Sequence, residues 1–277
     1  DFKESYQDLL HETGLLAGLT GPNEAFLSSF SRSLRILRRK QSLLVGIAEL
    51  LGVWDTRAAA AAQTQFAEAV LEVCIKNLLA MASVEEDLSL GQQSDPAQGS
   101  GLIILGLGKL GGGDLNFSSD VDLIVLYDPN SCGSGLNDRL SAVFSRLTRR
   151  LVELLETRTS DGYVFRTDLR LRPDPLSMPL AVSTDAAEVY YESVGQNWER
   201  AAFIKARPVA GDIAAGESFL RKLEPFIWRK TLDFAALDDI HSIKRQIDSD
   251  FKGDSIRGHN LKLGRGGIRE IEFFAQS

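Results

Sequence analysis

The chain has 277 residues, 44% of them hydrophobic and 25% charged, an ordinary composition for a globular protein with room for one large or two modest cores. Its formal net charge of −7 and isoelectric point near 5.2 argue against nonspecific binding to nucleic acid, and no basic tract with interleaved aromatics offers a polyanion a footing. No apolar run approaches membrane-spanning length, no signal peptide opens the chain, and Cys74 and Cys132 have no metal or redox spacing, so both read as inert thiols in a reducing cytosol.

Residues 1–22 are mixed in character and end at the breaker Thr20-Gly21-Pro22. From Asn23 the spacing of Phe26, Leu27, Phe30, Leu34 and Leu37 predicts a helix, continued by Leu43 to Leu51 and stopped at Gly52. Arg32, Arg35, Arg38, Arg39 and Lys40 decorate its flanks, either as a solvated face or as a surface for an acidic partner. Arg57 to Met81 is alanine-rich and helix-favouring, with Phe66, Val70, Val73 and Leu78 as its buried stripe. Gly91 to Pro96 marks a loop. A second amphipathic helix is expected over 137–156, with Leu140, Val143, Phe144, Leu147, Leu151, Leu154 and Leu155 facing inward. Asp161-Gly162 forms a turn, and Pro173-Asp174-Pro175 ends the sheet. Beyond it a helix capped at Thr184 or Asp185, with Asp185 and Glu188 in capping-box spacing, runs to about Trp198, and another spans Phe234 to Phe251. The chain begins at Asp1 without a methionine and stops at Ser277 inside a helical pattern, and is expected to be part of something longer.

The chemistry concentrates between Leu102 and Asp128. Leu102 to Leu105 reads as a buried strand. A glycine-dense turn follows, with Gly106, Gly108, Gly111, Gly112 and Gly113 around Lys109, then Ser118 and Ser119, then Asp120 and Asp122 leading an apolar run to Tyr127. Residues two apart on a strand share a face, so Asp120 and Asp122 converge. Two carboxylates against an apolar strand are costly without a cation, and a divalent metal is the natural candidate.

Gly106-x-Gly108-x-x-Gly111 matches a dinucleotide-binding fingerprint, but only nine residues separate Gly111 from Val121, too few for a crossover helix. A P-loop needs Gly-Lys-Ser/Thr, and Lys109 is followed by Leu110. Strand, Gly/Ser-rich turn and Asp-x-Asp strand together resemble the polymerase-β-type nucleotidyltransferase core. That family uses a third carboxylate on a neighbouring strand. Val164 to Pro173 offers Asp168, and alternation would put Asp168, Arg170 and Arg172 on one face. The plain alternative for this segment is a surface strand with an Asp–Arg ladder.

Four blocks narrow the likeness: 106–128, 161–183, 190–212 and 259–276. In this order they resemble the glutamine synthetase adenylyltransferase family, and within it the amino-terminal, adenylyl-removing half. The likeness runs from about Ser31 to the last residue. It implies an α+β fold, with a nucleotidyltransferase core over 61–182 between an amino-terminal helical segment, 1–60, and a carboxy-terminal helical domain, 183–277. It implies Mg²⁺, two ions, held by Asp120, Asp122 and Asp168, with Gly108, Lys109, Ser118 and Ser119 on the nucleotide's phosphates and Arg170 orienting the incoming phosphate. The implied partners are adenylylated glutamine synthetase, a PII-type signalling protein, phosphate and ADP, in the cytoplasm, with no nucleic acid and no membrane. The reverse reaction, AMP transfer from ATP, and a catalytically silent docking module stand as alternatives. Ser118-Ser119 departs from the Gly-Ser of broader relatives, which leaves the shape of that turn open.

Two side constellations stay divided. Gln196 to Arg200 with Lys205 and Arg207 belongs near the nucleotide by resemblance, or is structural with Glu199 paired to Arg207. Lys262 to Arg269 is a cationic glycine-rich loop, for phosphate or simply a turn before a helix. His11, His241 and His259 have no zinc spacing.

Overall fold

Two strands that are apolar on both faces need helices on both sides, and the fold is built to that demand. The computed structural model describes residues 1–16, 24–85, 95–131 and 137–228, together with 261, 267, 268, 271 and 272. In β1 (Leu102–Gly106) every residue is buried, and β2 (Val121–Tyr127) is buried except at Asp122. They pair antiparallel, Leu102 opposite Tyr127 and Gly106 opposite Leu123. That antiparallel link is incompatible with a Rossmann crossover, as the short connection requires. Between them the glycine-dense segment winds into one short helical turn, α4 (Gly108–Gly112).

Three further short strands complete a mixed sheet. β3 (Thr167–Asp168) and β4 (Ala181–Ser183) run parallel to β2 at its beginning and end, and β5 (Arg207–Gly211) pairs antiparallel with β1 through a bulge at Ile104/Leu105. The class is α+β, as expected. The sheet extends beyond Pro173, however, where a helical pattern was anticipated. β4 is too short to show alternation, and β5 carries Pro208, which weakens a strand signal and is tolerated here at the sheet edge.

Strand alternation divides the core in two. Leu102, Ile104, Val121, Leu123 and Val125 face one cluster, shared with α1 (Phe2–Leu15), α2 (Glu24–Leu50), α3 (Thr56–Glu85) and α5 (Asn137–Glu156). Ile103, Leu105, Ile124 and Leu126 face the other, shared with α6 (Thr184–Ser193), α7 (Asn197–Phe203) and α8 (Ile213–Ile227). The stripes expected for α3 and α5 are all buried. α3 runs through residue 61, and α1 to α3 join the sheet's core without a break in packing.

Some local expectations need correcting. The amino-terminal residues form α1, capped by Asp1 and anchored by Tyr6, Leu9 and Thr13, a stripe too sparse to stand out in a mixed segment. α6 is capped by Ser183, whose hydroxyl accepts from Ala186 N, and stops at Ser193. Gly195 lies too close to Tyr191 O and the Phe226 ring for any side chain, so the chain turns there and starts α7. The capping box is Gln196 with Glu199, rather than Asp185 with Glu188. Cys132, His241, His259, the 234–251 helix and nearly all of 262–269 lie outside the described residues, as do 17–23 and 91–94.

Gly211 sits at φ +82 with its missing side chain directed onto Leu102 O. Gly211→Ala is expected to lower stability by about 2 kcal/mol or more, read as an earlier midpoint in urea denaturation.

Candidate functional site

The turn and the first carboxylate strand meet at Gly108. Its φ is +53, and a Cβ there would overlap Asp122 Oδ2, so only glycine lets the carboxylate lie against the turn's backbone. Leu107 N donates to Asp122 O at 2.9 Å, which fixes the turn to the start of β2. Across the sheet Asp122 pairs in register with Asp168 on β3. Asp120 stands just before β2, where Arg166 donates to it through Nε and to Ser118 O through Nη2 at 2.6 Å.

Arg170 is the direct partner of Asp168. Its guanidinium is held in the charged form first by hydrogen bonding to Asp168 and then by the charges of Asp168, Asp122 and Asp120. In return, its hydrogen bonds hold Asp168 below the usual carboxylate range, outweighing partial burial. Stability from that pair is present above the unfolded carboxylate's pKa and is lost as pH falls through the lowered value. Asp168 is therefore an anion at neutral pH.

The strand expected over 164–173 is only two residues long. Asp168 Oδ1 accepts from Arg170 N at 2.9 Å, a local bond that competes with ladder pairing and turns the chain. Arg170 therefore folds back onto Asp168 instead of projecting beside it. Arg172 does not share their face either: it donates to Leu169 O and Pro175 O, tying the following loop. A cleft of about 440 Å³ opens here, lined by Asp120, Asp168, Arg166, Arg170, Glu156 and Tyr163 among others. Lys109 lies on α4 and is half-buried. Ser119 N donates to Asn116 O, and Ser118 is exposed.

Among the described residues no three His, Cys, Asp or Glu side chains form a ready-made metal shell, and Asp120 and Asp168 are each paired with an arginine. The donor chemistry still suits a hard divalent cation: Asp122 and Asp168 lie side by side across the sheet, Asp120 stands just before them, and Arg170, the partner of Asp168, is 85% exposed.

Three arginines outside the expected set hold this arrangement. Arg166 shares the alternation parity of Asp168, and that parity is the signal that could have found it. Arg38, far away on α2, donates to Gln41 and Gln63 and to Phe117 O at 3.0 Å, while its guanidinium lies 4.7 Å from the Phe165 ring centre. Desolvation pulls its pKa down to about 10. It thus joins the approaches to both carboxylate strands. Arg207 on β5 donates to Gly111 O and Leu110 O, closing α4, and pairs with Glu68 on α3. The alternative partner, Glu199, is buried and instead accepts from Gln196 N and the Tyr190 hydroxyl. No local pattern announces contacts so distant in sequence.

A family model for glutamate-ammonia ligase adenylyltransferase matches residues 18–222. The chain belongs to that family. It is 54% identical over 267 residues to the bifunctional glutamine synthetase adenylyltransferase/adenylyl-removing enzyme of Rhizobium meliloti, covering 95% of this chain and 27% of the relative. Enzymes of the same name from Agrobacterium fabrum and Brucella suis are 54% and 48% identical, over 88% and 99% of this chain and 25% and 28% of their own lengths. The chain thus spans about a quarter of the curated relatives it matches. A second model, GlnD PII-uridylyltransferase, matches residues 241–277. No helix among the described residues is long and apolar enough to cross a membrane.

Arg38→Ala is expected to cost about 2–4 kcal/mol, since it leaves the buried side-chain oxygens of Gln41 and Gln63 without their donor; thermal melting checks this. Arg170→Ala should let the Asp168 pKa rise toward its ordinary value, followed by carboxyl NMR titration.

Proposed function

We propose that this chain carries the adenylyl-removing activity of its family: Mg²⁺-dependent phosphorolysis of the bond between AMP and a tyrosine of glutamine synthetase, with release of ADP. The observation that carries the reading is that Asp122 lies against the Gly108 turn and in register with Asp168, while Asp120, two residues before it, shares a cleft with Asp168. The relatives' name covers both attachment and removal of AMP. The choice of removal rests on the likeness of 116–119 and 197–209 to the removing half.

In this reading Asp120, Asp122 and Asp168 would hold the metal, which when bound neutralises phosphoryl oxygens and aligns attacker with leaving group. Gly108, Lys109, Ser118 and Ser119 hold the nucleotide's phosphates. Arg170, once turned from Asp168, orients the incoming phosphate. Phosphate is anionic at neutral pH, so no strong general base is needed. A phosphate oxygen bonds to the AMP phosphorus as the phosphorus–tyrosine oxygen bond breaks. The departing phenolate, with a free pKa of about 10, takes the proton of the attacking hydrogen phosphate, and the cationic side chains at the cleft stabilise it meanwhile. The reading brings with it a cytoplasmic setting and a PII-type signalling protein as regulator, in keeping with the match of 241–277 to a PII-modifying family.

The test mixes this chain with adenylylated glutamine synthetase, Mg²⁺ and phosphate and follows ADP. Phosphate-dependent ADP, abolished by chelation, is the expected result. AMP incorporation from ATP into unmodified synthetase, without ADP release from the adenylylated form, would reverse the direction. Asp120→Asn and Asp122→Asn should each lower turnover by about a thousandfold or more with the fold intact, and retained activity would remove the metal assignment.

A further inference from the structure

Helix α2 is apolar on two sides. Phe30, Leu34, Leu37, Val45 and Ala48 are buried in the core, as an amphipathic helix requires. Ile36, Leu43, Ile47 and Leu50, spaced by seven, four and three, form a second stripe on the opposite side, and they are 37%, 64%, 39% and 87% exposed. An isolated exposed leucine needs no explanation, but four exposed apolar residues along one side of a helix that already has a buried face, with Arg39 and Lys40 among them, form a surface suited to docking.

The stripe leads into the candidate site. A cleft of about 830 Å³ has Ile36 and Leu43 on one wall and Phe117, Ser118, Ser119 and Arg166 on the other. Arg166 donates to both Asp120 and Ser118 O, and so ties this wall to the site. Phe117 reaches back to α2, its ring 3.9 Å from where a Gly46 side chain would begin. The cleft is also locally positive in a chain of net charge −7: Arg38, Arg39, Lys40 and Arg166 line it beside the carboxylate of Asp161, with Arg166 paired to Asp120. Arg39 and Lys40 have ion pairs, to Asp161 at 3.6 Å and Glu12 at 2.9 Å, but these heads are 66% and 53% exposed, and such surface pairs exchange readily.

We infer that this face of α2 and the adjoining cleft bind the polypeptide flanking the adenylylated tyrosine of glutamine synthetase, a segment that sets apolar side chains along Ile36–Leu43–Ile47 and carboxylates against Arg39 and Lys40. The inference rests on the reading that the substrate is that protein. A tyrosine presented to Asp120 must bring its neighbouring chain over the mouth of the site, and the apolar, positive cleft opens there. Its charge suits an acidic segment, and its stripe gives that segment purchase independent of the nucleotide.

The test uses Leu43→Glu with Ile47→Glu, and separately Arg39→Glu with Lys40→Glu, in this chain, with melting curves to show that these exposed changes leave the fold intact. Binding of adenylylated synthetase, followed by surface plasmon resonance, is expected to weaken at least about tenfold in each double variant, while ADP affinity by calorimetry stays at the wild-type value. In turnover assays KM for the synthetase should rise by a similar factor with kcat nearly unchanged. Equal synthetase binding by wild type and both variants would overturn the docking surface, whether the face is bare or meets another occupant. Loss of ADP affinity alongside would overturn it too, since the changes would then be acting on the nucleotide site. Wild type that binds the synthetase, and loses it in the variants, but releases no ADP would sustain the docking surface and refute the phosphorolysis reading alone.

Discussion

A carboxylate lies where the side chain of Gly108 would be, and most of the site follows from that approach. It obliges the turn to be glycine and sets the turn's backbone beside an acid. It also depends on β1 and β2 being adjacent and antiparallel, because only then does the connecting segment return over the start of β2. The sheet's two apolar faces, each covered by helices, make that pairing rigid. A contact of this kind, anion against turn backbone, has little value in a mobile hairpin. Here it is clamped between two packed layers.

Charge is the second constraint. Three acids are gathered in one region, and like charges so close resist assembly. Two arginines answer this at separate points, Arg166 on Asp120 and Arg170 on Asp168, while Arg207 holds the carbonyls at the end of α4 and pairs with Glu68. Arg38 works differently. It is drawn from α2 toward Phe117 and Phe165, where partial loss of water is offset by hydrogen bonds and the Phe165 ring. Through it the amino-terminal helices take part in the shape of the site.

The parts legible in the sequence share a local cause. α5 was readable over its whole length because seven apolar residues repeat at helical spacing, and β1 and β2 because their apolar runs are bounded by glycine and aspartate. Asp120 and Asp122 were named as candidates from their spacing and Asp168 from the resemblance, and the fold sets Asp122 in register with Asp168 and Asp120 just before β2. What escaped was decided over distance or by a single contact. α1 depends on the Tyr6 hydroxyl reaching Ala62 O on another helix. β5 forms because β1 has a free edge, despite Pro208. The Asp168 strand ends early because its own carboxylate takes the Arg170 N–H. The Arg207–Glu68 pair joins residues 139 positions apart, and no window along the chain contains both.

The bond between Asp168 and Arg170 has a consequence for ligand exchange. Arg170 serves as an internal counter-ion, so Asp168 stands beside its acidic neighbours with its own charge already balanced. In the proposed reading, a cation bound by these acids would have to displace that side chain. Its affinity would then stay below what three bare carboxylates give, and its release would be helped by a group tethered two residues away. Such a centre would favour turnover over retention.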